Sequence, residues 1–226
     1  MKPLVGVIDE VLPSAGFRTL LRAVRRVGEE RLRGGYQLTC WYDFASPPSC
    51  LVEQAARVVR ARLPKSRIRG VTGVEWWLSR MRTSLVQVDF HRDRDNALFD
   101  EKGAEKNPVL STVLYLNRCK GGLLAVTADP PNPDNPALAP DRHDFDLVEP
   151  RPNRLAFFDG RLTHGVLDAR NHLPGARLPR EKTLRLAIAI NFWASRPRGV
   201  PRYAEREIFP ALGLARRRGG PQRPGA

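Results

Sequence analysis

Residues 85–90, Leu-Val-Gln-Val-Asp-Phe, alternate apolar and polar side chains and run straight into His91. Such alternation predicts a half-buried β-strand. Residues 110–116 and 122–128 predict two more strands, the second entered through a Gly121-Gly122 turn. Residues 154–158 and 163–167 lie on either side of Asp159-Gly160, a pattern that predicts a hairpin. The apolar run 184–193 predicts a last, long strand. Between these strands, residues 129–144 are crowded with prolines and aspartates and predict a long loop. Loops of this length in compact domains often serve as lids or binding elements.

The first third of the chain has a different period. Residues 17–33 carry apolar positions at helical spacing, with Ser14 placed to cap and Gly34-Gly35 to stop the helix. Residues 36–44 predict a strand, and residues 50–63 a second helix closed by Pro64. The segment 73–77 is dense in aromatics and reads either as core or as the wall of a pocket. The expected fold is mainly β with flanking helices, a barrel or jelly roll buttressed by helical stripes. Residues 1–215 are expected to form one domain, with a helical or mixed part over 1–83 and a β core over about 84–195. Residues 216–226 are Gly, Pro and Arg with hardly an apolar side chain, so a disordered basic tail is expected.

Composition changes this picture only at its margins. A hydrophobic fraction of 42% is ordinary for a globular chain, and no run is long and apolar enough to span a membrane. The N-terminus lacks a convincing signal pattern, which gives a cytoplasmic expectation. Cys40, Cys50 and Cys119 are too few and too scattered for a disulfide framework or a cysteine zinc site. The net charge of +14 is mostly arginine spread along the chain. It keeps nucleic acid open as a partner, although no nucleic-acid-binding motif accompanies it. The oligomeric state is not legible.

The chemistry concentrates in His91-Arg92-Asp93 and, far downstream, His164. Two imidazoles and one carboxylate are the facial-triad ligand set that holds non-haem Fe(II) with coordination positions left open. In a strand, residues two apart point the same way, which would let His91 and Asp93 reach one metal. Asp89 and Asp95 compete for the carboxylate role, and Asp95 reads either as a hydrogen-bond acceptor for a ligand histidine or as a solvated charge. Of the other histidines, His143 and His172 sit in polar loops without a preceding strand and turn. His164 has both, with Gly165 beside it to leave room for a ligand. Zinc in a hydrolase would also suit three such ligands.

Five segments, in order, give a resemblance to a known family: FHRDRD (90–95), PVLSTVLYLN (108–117), Gly121-Gly122, NRLAFFDGRLTHGV (153–166) and RLAIAINFW (185–193). Together they resemble the Fe(II)- and 2-oxoglutarate-dependent dioxygenases, especially the prolyl-hydroxylase-like branch, over roughly residues 84–195. The resemblance implies a double-stranded β-helix and Fe(II) held by His91, Asp93 and His164. It also implies 2-oxoglutarate and O2 as co-substrates. Its spacing favours Asp93 as the acid and makes Arg185 the cation for the distal carboxylate of 2-oxoglutarate, suited by its fork of donors.

Two departures from the family pattern stand out. The gap between His164 and Arg185 is longer than in many members, and Arg177, Arg180 and Lys182 in it are rival cations. Ala187 stands where some branches carry a hydroxyl, so Tyr115 is a candidate to supply one. Trp76, Trp77, Phe158 and Trp193 are candidate walls of a substrate pocket, each also a reasonable core residue. The implied reaction is hydroxylation of an unactivated C–H bond in an amino-acid, peptide or natural-product substrate. Two alternatives stay open: an oxygenase that modifies nucleic acid or protein, and a non-enzymatic β-barrel binding module.

Overall fold

The computed structural model describes residues 3–28, 31–32, 38–82, 88–132, 145–167, 184–206 and 208–214. Ten strands form two antiparallel sheets. The larger has the order β1 (Val5–Ile8), β8 (Leu155–Asp159), β5 (Leu110–Tyr115), β10 (Leu184–Trp193), β3 (Gly73–Arg82), β2 (Cys40–Asp43). The smaller has the order β4 (Val88–His91), β9 (Thr163–Val166), β6 (Leu124–Thr127), β7 (Asp146–Val148). Helices α1 (Ser14–Val27) and α2 (Leu51–Arg62) accompany the larger sheet. Two short helices, α3 (Asn96–Lys102) and α4 (Tyr203–Arg206), are also present among the described residues.

The period-2 geometry of β10 explains how the layers stack. Leu186, Ile188, Ile190 and Phe192 join the core cluster that contains Leu20 and Val24 of α1 and Val52 and Val59 of α2. Ala187, on the other face, joins Tyr115 and Phe158 of the larger sheet and Leu124 and Val126 of the smaller one. One face of the larger sheet is therefore covered by helices and the other by the second sheet. This arrangement is a jelly roll, and it explains why β10 reads as a continuous apolar run rather than an alternating one.

Several sequence expectations shift. Residue 28 ends α1 rather than the glycine pair 34–35: Gly28 sits at φ 85, a conformation open to a residue without Cβ. Pro13 holds the cap position and Ser14 is already helical. The hairpin expected around Asp159-Gly160 is absent. β8 pairs with β1 and β5, whereas β9 pairs with β4 and β6, so the turn carries the chain from one sheet to the other. Gly160 is needed at that crossing, because a Cβ there would lie 2.2 Å from the Pro108 carbonyl oxygen. Strand β1, the length of β3 and helix α3 were not anticipated. Residues 133–144, most of the expected long loop, lie outside the described residues, as do residues 85–87 and the tail 216–226. Among the described residues no helix is long and apolar enough to cross a membrane.

Candidate metal centre

β4 and β9 run side by side in the smaller sheet, with His91 and His164 as direct Cα partners. That register puts the two imidazoles 4.4 Å apart, centroid to centroid. Each ring uses Nδ1 locally: His91 Nδ1 lies 2.7 Å from the Asp89 carbonyl oxygen and His164 Nδ1 3.3 Å from that of Leu162. A proton held on Nδ1 by a carbonyl leaves the Nε2 lone pair free, the arrangement of a metal-ligating histidine. Both Nε2 atoms face one carboxylate. His91 Nε2 is 3.7 Å from Asp93 Oδ1, and His164 Nε2 is 3.5 Å from Asp93 Oδ2. Ligand atoms of the three residues all fall within 4.8 Å of one another.

Asp93 lies just past the end of β4, so strand alternation does not aim it. It is held instead by β5 and the segment before it. Ser111 Oγ donates to its Oδ2 at 2.8 Å, and Asn107 Nδ2 donates to its backbone carbonyl at 2.9 Å. Burial alone would push this carboxyl up. His164, His91 and the Ser111 hydroxyl more than offset that and hold it well below the usual carboxylate range. Burial drives His164 down to about 4, with Asp93 opposing and His91 assisting. Partial burial lowers His91 too, but hydrogen bonding and charge from Asp93 outweigh it and leave that ring raised. An ionised carboxylate beside a neutral, buried imidazole is a donor set ready for a divalent cation.

The two rival carboxylates have other work. Asp89 is exposed. Asp95 is 2% exposed and caps α3: its Oδ1 accepts from Leu98 N at 3.0 Å, while its Oδ2 accepts from Arg198 N at 3.0 Å. It is neither a solvated charge nor a partner of a ligand histidine. Gly165 does not make room for a ligand either. It lets β4 approach, since a Cβ there would lie 2.9 Å from the Val88 carbonyl oxygen and 3.1 Å from the Phe90 ring. His143, His172, Arg177, Arg180 and Lys182 lie outside the described residues.

On the face of β10 turned toward the smaller sheet stands Arg185, 2% exposed. Its guanidinium carbon lies 5.1 Å from the Tyr115 ring centroid. Tyr115 is the cross-strand partner of Ala187, so its ring occupies the space the small side chain leaves. Burial raises the Tyr115 phenol and the Arg185 charge opposes it. The Arg185 Nε and the Tyr115 hydroxyl are both buried and lack a hydrogen-bond partner among the described residues. Buried donors without acceptors are costly, and a carboxylate placed between them would satisfy both. Asn117, which sequence reasoning passed over, fixes the start of this strand. Its Nδ2 donates to the Leu184 carbonyl at 2.6 Å, and its Oδ1 accepts from Leu186 N at 2.8 Å, bracketing Arg185.

In front of the metal centre a pocket of about 690 Å³ opens, lined by His91 and Asp93 together with Trp77, Glu75 and Asn191. Pro131 and Asn132, the last described residues of the expected loop, also line it. Of the four candidate wall residues, Trp77 alone borders this pocket. Trp76 points to the helix side and packs against Tyr203, their ring centroids 6.0 Å apart. Phe158 lies between the sheets, its ring 4.9 Å from that of His164, and backs the ligand rather than the pocket. Trp193 packs with Trp41 and Val200.

No protein-family model and no curated protein matches the chain. Solved structures do. A prolyl-4-hydroxylase from Pseudomonas putida superposes with a TM-score of 0.51 at 20% identity, over 85% of this chain and 86% of that one. HygX from Streptomyces hygroscopicus, solved with nickel and 2-oxoglutarate bound, gives a TM-score of 0.53 at 16% identity, over 84% of this chain and 82% of that one. The chain thus has the fold of the prolyl-hydroxylase-like 2-oxoglutarate oxygenases, the fold expected from its five segments.

Proposed function

We propose that the protein is an Fe(II)- and 2-oxoglutarate-dependent oxygenase that hydroxylates a C–H bond of an amino-acid, peptide or other small substrate. One observation carries this reading. Two Nε2 lone pairs and one ionised carboxylate converge on a single point, and a pair of buried, unpartnered donors, Arg185 Nε and Tyr115 Oη, lies on the face of the larger sheet turned toward the same smaller sheet. A zinc hydrolase would account for the triad but leave those two donors unexplained. The nickel and 2-oxoglutarate bound in HygX, which shares the fold, point the same way.

The residues present fit both groups. His91, Asp93 and His164 would hold the metal, and Arg185 with Tyr115 would hold the distal carboxylate of the co-substrate. When bound, the metal, 2-oxoglutarate and O2 together supply the oxidising power for C–H hydroxylation, with succinate and carbon dioxide as by-products. The chain contributes position and shelter. The carbonyls of Asp89 and Leu162 fix the tautomer of each imidazole, and Ser111 orients the carboxylate. Ala187 and Ala189, both small and buried on the inward face of β10, leave room there for the Tyr115 ring beside Arg185. Phe158 and Val126 exclude water from the rear of the centre.

The test is spectroscopic. Anaerobic addition of Fe(II) and 2-oxoglutarate is expected to give a weak visible charge-transfer band, and His164→Ala is expected to abolish it. A His164→Ala protein that keeps the band and native metal affinity would overturn the ligand assignment.

A further inference from the structure

The pocket in front of the metal centre contains a group that the proposed chemistry does not use. Glu75, on β3, is the direct cross-strand partner of Asn191 on β10, and both side chains line the pocket beside His91 and Asp93. The chain as a whole carries +14, yet no cation forms an ion pair with Glu75 among the described residues. The strongest charges acting on it are negative, those of Asp93 and Asp95. The pocket arginines are not paired with it: Arg94 stacks 3.5 Å over the Phe99 ring and reaches Asn96, and the Arg92 Nε is buried without a hydrogen-bond partner among the described residues. Asn191 is the second sign. It is 2% exposed, and its Nδ2 has no hydrogen-bond partner among the described residues.

A carboxylate walled in among other acids is costly to the empty protein. Burial, with Asp93 and Asp95 adding to it and Thr39 opposing as a donor, pushes the Glu75 carboxyl up to about 7. A glutamine would serve Thr39 equally well without that cost. A metal held by Asp93 would remove much of that repulsion but not the burial cost, and a cation arriving in the pocket would offset the cost that remains. An orphaned amide N–H across the strand from it asks for an acceptor on the same visitor. The pocket, about 690 Å³, is the size that takes a small molecule.

We infer that Glu75 and Asn191 are the substrate-recognition pair of this pocket. The substrate would be a small molecule that presents a protonated amine to Glu75 and a neighbouring oxygen to Asn191. This rests on the oxygenase reading only in treating the pocket as the place where substrate meets the metal centre.

The experiment uses protein loaded with Ni(II) and 2-oxoglutarate, and two probes that differ at one position: trans-4-aminocyclohexanol and trans-1,4-cyclohexanediol. Binding is measured by titration calorimetry. A charge-assisted hydrogen bond favours the amine by about ten-fold or more. Glu75→Gln should bring the two probes to within about two-fold of each other. Asn191→Leu should weaken both alike, because it meets the oxygen they share. A folding failure of Glu75→Gln does not block the test. In the wild-type protein, the amine should shift the indole N–H resonance of Trp193, which neighbours Glu75, and the diol should not. Three results overturn the inference: equal binding of the probes, a preference that survives Glu75→Gln, or no binding of the amine up to about 20 mM, a level that weak specific contacts reach. Failure to take up Ni(II) and 2-oxoglutarate overturns the oxygenase reading instead, and the same titration on metal-free protein still decides the amine preference.

Discussion

The two ends of β10 face the same interior and carry opposite chemistry. At its start, Arg185 is sealed between the sheets with the Tyr115 ring beside it. Near its end, Asn191 stands across from Glu75 at the edge of an open pocket. Ala187 and Ala189 lie between them on the same face. A cation at the closed end selects an anion and holds it for good geometry, because few waters compete there. An acid at the open end meets whatever diffuses in. On the proposed reading, one strand would separate two recognition problems by register alone, a co-substrate at one end and a substrate at the other.

The most severe way to break this comparison is at the closed end. Arg185→Ala removes one partner of a buried charge pair, which costs about 2–5 kcal/mol, or about 30-fold or more in 2-oxoglutarate affinity. Fe(II) affinity measured without 2-oxoglutarate should stay near wild type, because none of the three ligands is touched. Comparison with Arg177→Ala and Arg180→Ala, two rival cations of the same stretch of sequence, decides the assignment. Equal losses in all three would move the role out of β10.

Arg185 and Tyr115 at the closed end stood out in the sequence, whereas at the open end Trp77 did and Glu75 and Asn191 did not. The reason is the range of the interactions involved. The segment FHRDRD and the strand RLAIAINFW each state their residues within a few positions. Glu75, flanked by Val74 and Trp76, lies in a segment that reads either as core or as the wall of a pocket, and nothing local singles it out. Its meaning depends on Asn191, more than a hundred residues away, and on a ten-residue antiparallel register between β3 and β10 that no local pattern announces. The Asp159-Gly160 turn misled for the same reason. Its chemistry is that of a hairpin, but packing of Gly160 on Pro108 sends the next strand to the other sheet. Asp95 looked like a surface charge because the seven-residue helix it caps is too short to show a period.

A milder change sharpens the comparison. Tyr115→Phe keeps the ring against Arg185 and removes only the hydroxyl. A hydrogen bond to a charged carboxylate is worth about 1.5–3 kcal/mol, so 2-oxoglutarate affinity should fall by about 10- to 150-fold, less than for Arg185→Ala, which also removes the charge. Isothermal titration of both variants gives the ratio directly. A Tyr115→Phe protein with unchanged affinity would leave Arg185 alone as the anchor and make Tyr115 a packing residue.

The smallest effect belongs to the open end, and it concerns stability rather than binding. The carboxyl of Glu75 is raised from 4.5 to about 7 in the folded, metal-free protein, first by burial and then by Asp93 and Asp95. The folded state therefore holds this proton more tightly than the unfolded chain does. Its contribution is fully present below pH 4.5 and is lost as pH rises through about 7. Glu75→Gln has no proton to lose, so it should leave the metal-free protein nearly as stable at pH 8 as at pH 6, apart from changes common to both proteins. Wild type should lose ground relative to it over that interval, read as a falling difference in urea midpoint. The opposite sign, wild type gaining on Glu75→Gln as pH rises, would mean that a cation already neutralises the acid. The open end of β10 would then be closed in charge before any substrate arrives.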